Sequence, residues 1–291
     1  MTPIPSGVAR RRPTTRMTLV TALGALCLAV SALAPIAAAA AEPGCTTVGT
    51  GQTESRTLGS RSYLVHAPAN LAGEQVPLLL ALHGFGSSGS QMETYSGWSG
   101  FADANNLIVA YPQGTGSTFS GYWDPYSSFG PDVAFIRDVV ADISGEFCID
   151  PDRVHVDGWS NGAVMSQRVA CKAADLVASV NSYAGGTPTA GGLGSVCQPS
   201  RPISVSLIVG QFDFTYGGLA QNTTEWRAIN SCGQAVHTTD QYGSTDTYAC
   251  AAGTEVASRV VSFTSHNWPS GAGGQDQRAR IWSFFEAHPR P

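Results

Sequence analysis

The sequence predicts an α/β domain, with a mostly parallel sheet covered on both faces by helices. Three observations lead there. From residue 61 to residue 288, short strand-like apolar runs alternate with stretches at helical spacing. The run Pro77 to Leu82 is apolar without a break, as in strands buried on both faces. Between Arg153 and Cys171 a strand passes straight into a helix through a glycine-bearing turn.

Taken in order, Arg61 to Ala67, Pro77 to Leu82 and Leu107 to Tyr111 read as strands, the last ended by Pro112 and Gly114. Asp132 to Phe147 carries Val133, Phe135, Ile136, Val139, Val140 and Ile143 at helical spacing, with Asp132 as its expected cap. Arg153 to Trp159 is a strand and Asn161 to Cys171 a helix. Val177 to Tyr183, Ile203 to Gly210 and Ser258 to Thr264 complete the strands. A final helix, Gln275 to His288, presents Ile281, Trp282, Phe284 and Phe285. No linker or internal repeat divides the chain, so residues 42–291 read as one domain.

Composition limits the function classes. The chain has 291 residues, 43% hydrophobic and 13% charged, which argues against disorder. Residues 1–41 read as a secretory signal. Arg10, Arg11, Arg12 and Arg16 precede an apolar run from Met17 to Leu33 and an alanine-rich stretch ending at Ala41. The rival reading of that run is a retained membrane anchor. Without the signal the chain keeps 12 basic against 21 acidic residues, a net charge of −9. That balance gives no support to binding nucleic acid or an anionic membrane. No stable membrane association is expected after signal removal, and a monomer is expected.

Seven cysteines agree with export, because Cys27 leaves with the signal and six remain. Six cysteines allow 15 connectivities. Cys232 and Cys250 bracket a polar, turn-rich stretch and are the leading pair; Cys171 with Cys197 and Cys45 with Cys148 follow by elimination. With no C-x-x-C and no histidine cluster, neither a metal site nor a cofactor is expected.

The chemistry starts at Gly158-Trp159-Ser160-Asn161-Gly162. A serine hydroxyl is a weak nucleophile at neutral pH, so it must be fixed and exposed beside a base. A G-x-S-x-G turn between strand and helix does this in the α/β-hydrolase fold, and makes Ser160 the candidate nucleophile. The bland alternative is a serine cap in a glycine-rich turn. His83-Gly84-Phe85-Gly86, ending an earlier strand, stands where that fold puts its oxyanion loop. The backbone N–H groups of Phe85 and Asn161 are the candidate donors, and His83 reads as structural. For the base, His266 follows a strand, whereas His237 lies between two cysteines and His288 in the tail. For the acid, Asp213 just follows a strand, whereas Asp240 and Asp246 lie between Cys232 and Cys250. Loops at the C-terminal edge of such sheets are where ligands and catalytic groups gather.

Together, His83-Gly84-Phe85-Gly86, Asp132-Val133-Ala134-Phe135-Ile136, Gly158-Trp159-Ser160-Asn161-Gly162 and His266-Asn267-Trp268-Pro269 resemble the polyhydroxybutyrate-depolymerase-like esterases, a group that includes feruloyl and acetylxylan esterases. The likeness runs from Ser62 to His288. It implies Ser160, Asp213 and His266 as nucleophile, acid and base. Two departures touch the acid loop and the base. The acid stands in Gly210-Gln211-Phe212-Asp213-Phe214 rather than after a His-Gly-type pair with prolines, and Ser265, not glycine, precedes His266.

The substrate is less sharply indicated. Phe119, Tyr122, Trp123, Tyr126 and Phe129 cluster just before the helix expected from Asp132, and Trp268 adjoins the base. Tyr122, Trp123 and Trp268 are the candidate substrate-binding aromatics, with packing under the loop as the alternative reading. The resemblance implies esters of plant cell-wall polysaccharide or aliphatic polyester. Polyester depolymerases of this kind often carry a linker and a separate binding domain; this chain ends soon after its base, which favours the cell-wall ester. A reading of another class is a secreted binding protein that lost catalysis, but every triad position is filled. Asn222-Thr223-Thr224 is also a glycosylation sequon.

Overall fold

Val76–Leu82 (β3) is buried at all seven positions and is the fourth strand of a ten-stranded sheet. The computed structural model describes residues 45, 48–117, 119–126, 130–186 and 197–291. The expected signal, 1–41, lies outside them. In chain order the preceding strands are β1 (Thr53–Leu58) and β2 (Arg61–His66). After β3 come α1 (Gly89–Ser96), α2 (Trp98–Asn105), β4 (Ile108–Pro112) and a small ribbon of β5 (Thr115–Gly116) with β6 (Gly121–Tyr122). Next are α3 (Pro131–Glu146), β7 (Ile149–Trp159), α4 (Asn161–Lys172), β8 (Ser179–Tyr183), β9 (Ser204–Gly210) and α5 (Leu219–Ile229). The chain closes with β10 (Ala235–Asp240), β11 (Gly243–Ala249), β12 (Glu255–Val261) and α6 (Gly271–Ala287).

The sheet runs β1-β2-β4-β3-β7-β8-β9-β12-β11-β10. Its six central strands are parallel, and an antiparallel pair extends it at either edge. Side chains of a strand alternate between faces. Accordingly Leu78, Leu80 and Leu82 pack with α3 and α4, and Leu79 and Ala81 with α1, α2 and α6. This is the α/β arrangement expected from the alternation of runs, and it explains why β3 reads apolar throughout.

Several local expectations need correction. Asp132 does not cap α3; Gly130, at φ 59°, does, and Asp132 sits inside the first turn. Its carboxylate accepts from Arg61 Nη1 at 2.6 Å and from the Asp124 N–H at 2.7 Å. α6 begins at Gly271, ahead of Gln275, and its first turn includes Gly274, where a Cβ would lie 2.3 Å from the Pro269 carbonyl oxygen. β12 begins at Glu255 and ends at Val261, short of Thr264. The stretch between Cys232 and Cys250 is a hairpin of β10 and β11. β10 is exposed at all six positions, so no apolar alternation announces it.

Cys45–Cys148, Cys171–Cys197 and Cys232–Cys250 are joined as disulfides. Among the described residues, no helix is long and apolar enough to cross a membrane. Asn222, the acceptor of the sequon, is buried in α5, its Nδ2 donating to the Gly186 carbonyl at 3.1 Å, so in the folded protein it offers no glycan site.

Candidate active site

β7 delivers its last residue, Trp159, to the C-terminal edge of the sheet between β3 and β8. Ser160 then turns the chain into α4 at φ 56°, ψ −117°, a conformation that L-residues rarely adopt. Its N–H donates to the Tyr183 carbonyl at 2.9 Å, which helps to hold the elbow. The flanking glycines are needed for space. A Cβ on Gly158 would lie 2.1 Å from the Gly162 carbonyl oxygen, and one on Gly162 2.2 Å from that of Leu82. The turn can therefore form only with both side chains missing.

The loops after β9 and β12 bring the other two groups to this serine. His266 Nε2 lies 2.8 Å from Ser160 Oγ, and His266 Nδ1 lies 2.9 Å and 3.0 Å from the two oxygens of Asp213. A carboxylate can only accept, so the proton of the neutral imidazole is on Nδ1 and Nε2 is free to accept from Oγ–H. Asp213 is fully buried at its side chain, and Thr215 donates to its Oδ1 from both N and Oγ1 at 2.7 Å each. Burial of an unpaired carboxylate is costly, and these donors with the imidazole offset that cost.

The acid loop has an atypical sequence, yet it is tied to the histidine loop. The Phe212 N–H donates to the Thr264 carbonyl at 2.9 Å, and the Phe263 N–H to Gln211 Oε1 at 3.1 Å.

The predicted oxyanion loop lies against the elbow: a Cβ on Gly84 would sit 3.4 Å from Ser160 Cβ. Among the described residues, neither the Phe85 nor the Asn161 N–H donates to a protein acceptor. Asn161 also opens α4, whose first amides point out of the helix and favour negative charge. His83 holds the loop. Its Nδ1 donates to the Gly84 carbonyl at 2.8 Å and its Nε2 accepts from the Gly114 N–H at 2.9 Å. Burial keeps this imidazole neutral by lowering its pKa to about 4.

The aromatic candidates divide. Trp123 is 2% exposed and belongs to the scaffold, not to a substrate surface. Its indole N–H donates to the His83 carbonyl at 2.9 Å, and its backbone is clasped by both side-chain atoms of Asn161, at 2.7 and 3.1 Å. Trp268 is also buried, edge-on to Tyr183. Tyr122 is exposed beside the exposed ring of Phe85, 6.1 Å away. Phe119 and Tyr126 are exposed as well, and Phe129 lies outside the described residues.

Sequence reasoning missed the groups that surround the imidazole. Phe214 lies over His266 at 4.2 Å between ring centroids, and Trp159 lies 5.6 Å away. Exposed Phe212 and Phe263 pair nearby at 6.4 Å. Thr215 was findable, since a threonine two residues after an aspartate commonly donates back to it. The ring contacts leave no such local signal.

No family model matches the chain. Feruloyl esterase B of Piromyces equi is 28% identical over 198 residues, 59% of this chain and 36% of its own length. A poly(3-hydroxybutyrate) depolymerase of Ralstonia pickettii is 25% identical over 300 residues, 87% of this chain and 61% of its own length. The chain thus spans less than two thirds of either relative. An acetyl xylan esterase structure from Aspergillus awamori superposes with a TM-score of 0.65 at 18% identity, over 81% of this chain and 100% of that one, and shows the fold. The chain has the α/β-hydrolase fold and is similar in sequence to a feruloyl esterase and a poly(3-hydroxybutyrate) depolymerase.

Proposed function

We propose that this protein is a secreted serine carboxylic-ester hydrolase acting on feruloyl or acetyl esters of plant cell-wall polysaccharide. One observation carries the reading: the unbroken chain of hydrogen bonds from Ser160 Oγ through His266 to buried Asp213, on a strained elbow. Acetylxylan and feruloyl esterases among the relatives support the ester class. Three disulfides and the basic-then-apolar N-terminus support export.

In this reading His266 Nε2 takes the Ser160 proton as Oγ bonds to the ester carbon. The carbonyl oxygen becomes an oxyanion that accepts from the Phe85 and Asn161 N–H groups, each such donor contributing ~3 kcal/mol to the transition state. Collapse breaks the bond to the alcohol, which leaves with the proton from the imidazolium. Water then attacks the acyl-serine with His266 again as base, releasing the acid. Asp213 holds the imidazole in the required tautomer and favours its charged form throughout.

Polyester hydrolysis is the second reading. It is favoured by exposed Phe212, Phe214 and Phe263 around the triad and by the depolymerase relative. Initial rates on p-nitrophenyl acetate, methyl ferulate, acetylated xylan and polyhydroxybutyrate, each with a Ser160→Ala control, test both. Preference for ferulate or acetylxylan supports the first, and clearing of the polyester replaces it with the second. Hydrolysis surviving in Ser160→Ala would refute the mechanism.

A further inference from the structure

The β10–β11 hairpin widens the sheet, and α5 roofs one face of the extension. Along β11 the even residues Ser244, Asp246 and Tyr248 face that side, with Ser258 and Val260 of β12 beside them. Between these strands and α5 lies a groove of about 460 Å³. That volume is within the range of small-ligand sites. Thr224, Ser244 and Ser258 contribute hydroxyls to its lining, Asp246 a half-exposed carboxylate, Arg227 a guanidinium and Tyr216 a half-exposed ring. Arg227 is held in place by stacking on Tyr248, 4.3 Å from the ring centroid.

One residue of the groove's lining, Tyr216, is tied to the acid loop of the candidate active site. Tyr216 is three residues past Asp213, and its N–H donates to the Asp213 carbonyl at 3.0 Å. The opposite face of the same strands also carries a groove, of about 530 Å³. There Arg259 with Asp240 at 2.9 Å and Arg280 with Asp276 at 2.6 Å answer each other's charge, whereas in the first groove Asp246 is paired with a histidine, His237, at 2.6 Å, and Arg227 lies on the ring of Tyr248.

We propose that the groove under α5 is a subsite for the neutral, hydroxyl-rich polysaccharide backbone that carries the scissile ester. The inference rests on the ester-hydrolase reading above. Sugars offer hydroxyls that both donate and accept, and an apolar C–H face that lies on aromatic rings; hydroxyl, carboxylate, guanidinium and tyrosine side chains answer both. A polyester strand has no donor to offer the Asp246 carboxylate, which the protein itself partners from the neighbouring strand, through His237 Nδ1 at 2.6 Å. A polyanionic glycan is opposed by the chain's excess of acidic residues, 21 against 16 basic.

The test titrates isotope-labelled Ser160→Ala protein with xylohexaose while amide resonances are followed, and then measures acetylxylan kinetics in Asp246→Asn and Thr224→Ala. Shifts should concentrate at residues 216, 224, 227, 244 and 246. Each substitution should raise KM on acetylxylan about fivefold, the loss of one hydrogen bond, with kcat held within about twofold and an unchanged melting temperature. Shifts absent from these residues, or wild-type KM in both variants, would overturn the subsite. So would equal shifts from a 3-hydroxybutyrate oligomer. Wild-type protein inert on every ester would instead refute the hydrolase reading, and the titration would still decide whether the groove binds sugar.

Discussion

The ring of Phe214 stands over the ring of His266, 4.2 Å between centroids and tilted by 37°, while the residue remains 81% exposed. If His266 is the base of the proposed reaction, an aromatic ring in that position attracts the imidazolium it would become. Phe214→Ala should lower kcat about threefold to tenfold, the worth of one such ring contact. Phe214→Tyr should restore it. Steady-state kinetics on p-nitrophenyl acetate read both, and full activity in Phe214→Ala would show the ring to be idle.

Thr215 gives two donors to one carboxylate oxygen of Asp213. Thr215→Val keeps the shape and the N–H donor but removes the hydroxyl. A hydrogen bond to a charged group is worth about 1.5–3 kcal/mol, so kcat should fall at least tenfold with little change in KM. An unaffected kcat would mean that the imidazole alone fixes the carboxylate.

Acid should destabilise the fold. Burial lowers the pKa of His83 to about 4 and of His155 to about 3, so on acidification the unfolded chain binds protons that the folded chain refuses. Their stabilisation is complete above the ordinary histidine pKa and is lost as pH falls below it. Asp157 opposes them: burial raises its carboxyl to about 6, despite donors from Asn181 and Trp98, so the folded chain takes up a proton first. Between about pH 6 and pH 4 two histidines act against one carboxyl. The net is one proton, or about 1.4 kcal/mol lost per pH unit. Below that range Asp240, held at about 2 by its hydrogen bonds from Arg259, adds a loss of the same sign. Urea unfolding from pH 7 to pH 4 measures the slope; stability that rises over this range would contradict the assignment.

Cys232–Cys250 closes a loop of 18 residues around the β10–β11 hairpin, whose outer strand has no buried side to hold it. The double variant Cys232→Ser, Cys250→Ser should lose about 3 kcal/mol by the loop-entropy estimate. Calorimetry of the purified variant checks this, and an unchanged melting temperature would show that the hairpin is held by its strand pairing.

The sheet and the meeting of Ser160, His266 and Asp213 were readable because their physics is local. An apolar run with no break, as at Leu78 to Leu82, can only be buried on both faces. A serine between two glycines at a strand–helix junction carries its geometry with it. Asp213 and His266 were marked by standing just beyond strands that end at one edge. What stayed hidden depends on contacts distant in sequence. Nothing around Trp123 tells that its indole would be spent on His83, 40 residues earlier, so a scaffold residue read as a substrate contact. Asp132 resembled a cap and is instead the partner of Arg61, 71 residues away. β10 has no apolar side to read, and Phe214 gained its role only when two loops met.

The most direct test of the central claim is covalent trapping of the nucleophile. Wild-type protein, treated with the esterase-directed phosphotriester diethyl p-nitrophenyl phosphate and digested, is examined by mass spectrometry. One diethylphosphoryl group per molecule on the peptide containing Ser160, with activity lost in proportion and no labelling of Ser160→Ala, is the result this account predicts. Stoichiometric labelling at another residue, or inactivation that persists in step with a modified site in Ser160→Ala, would contradict it.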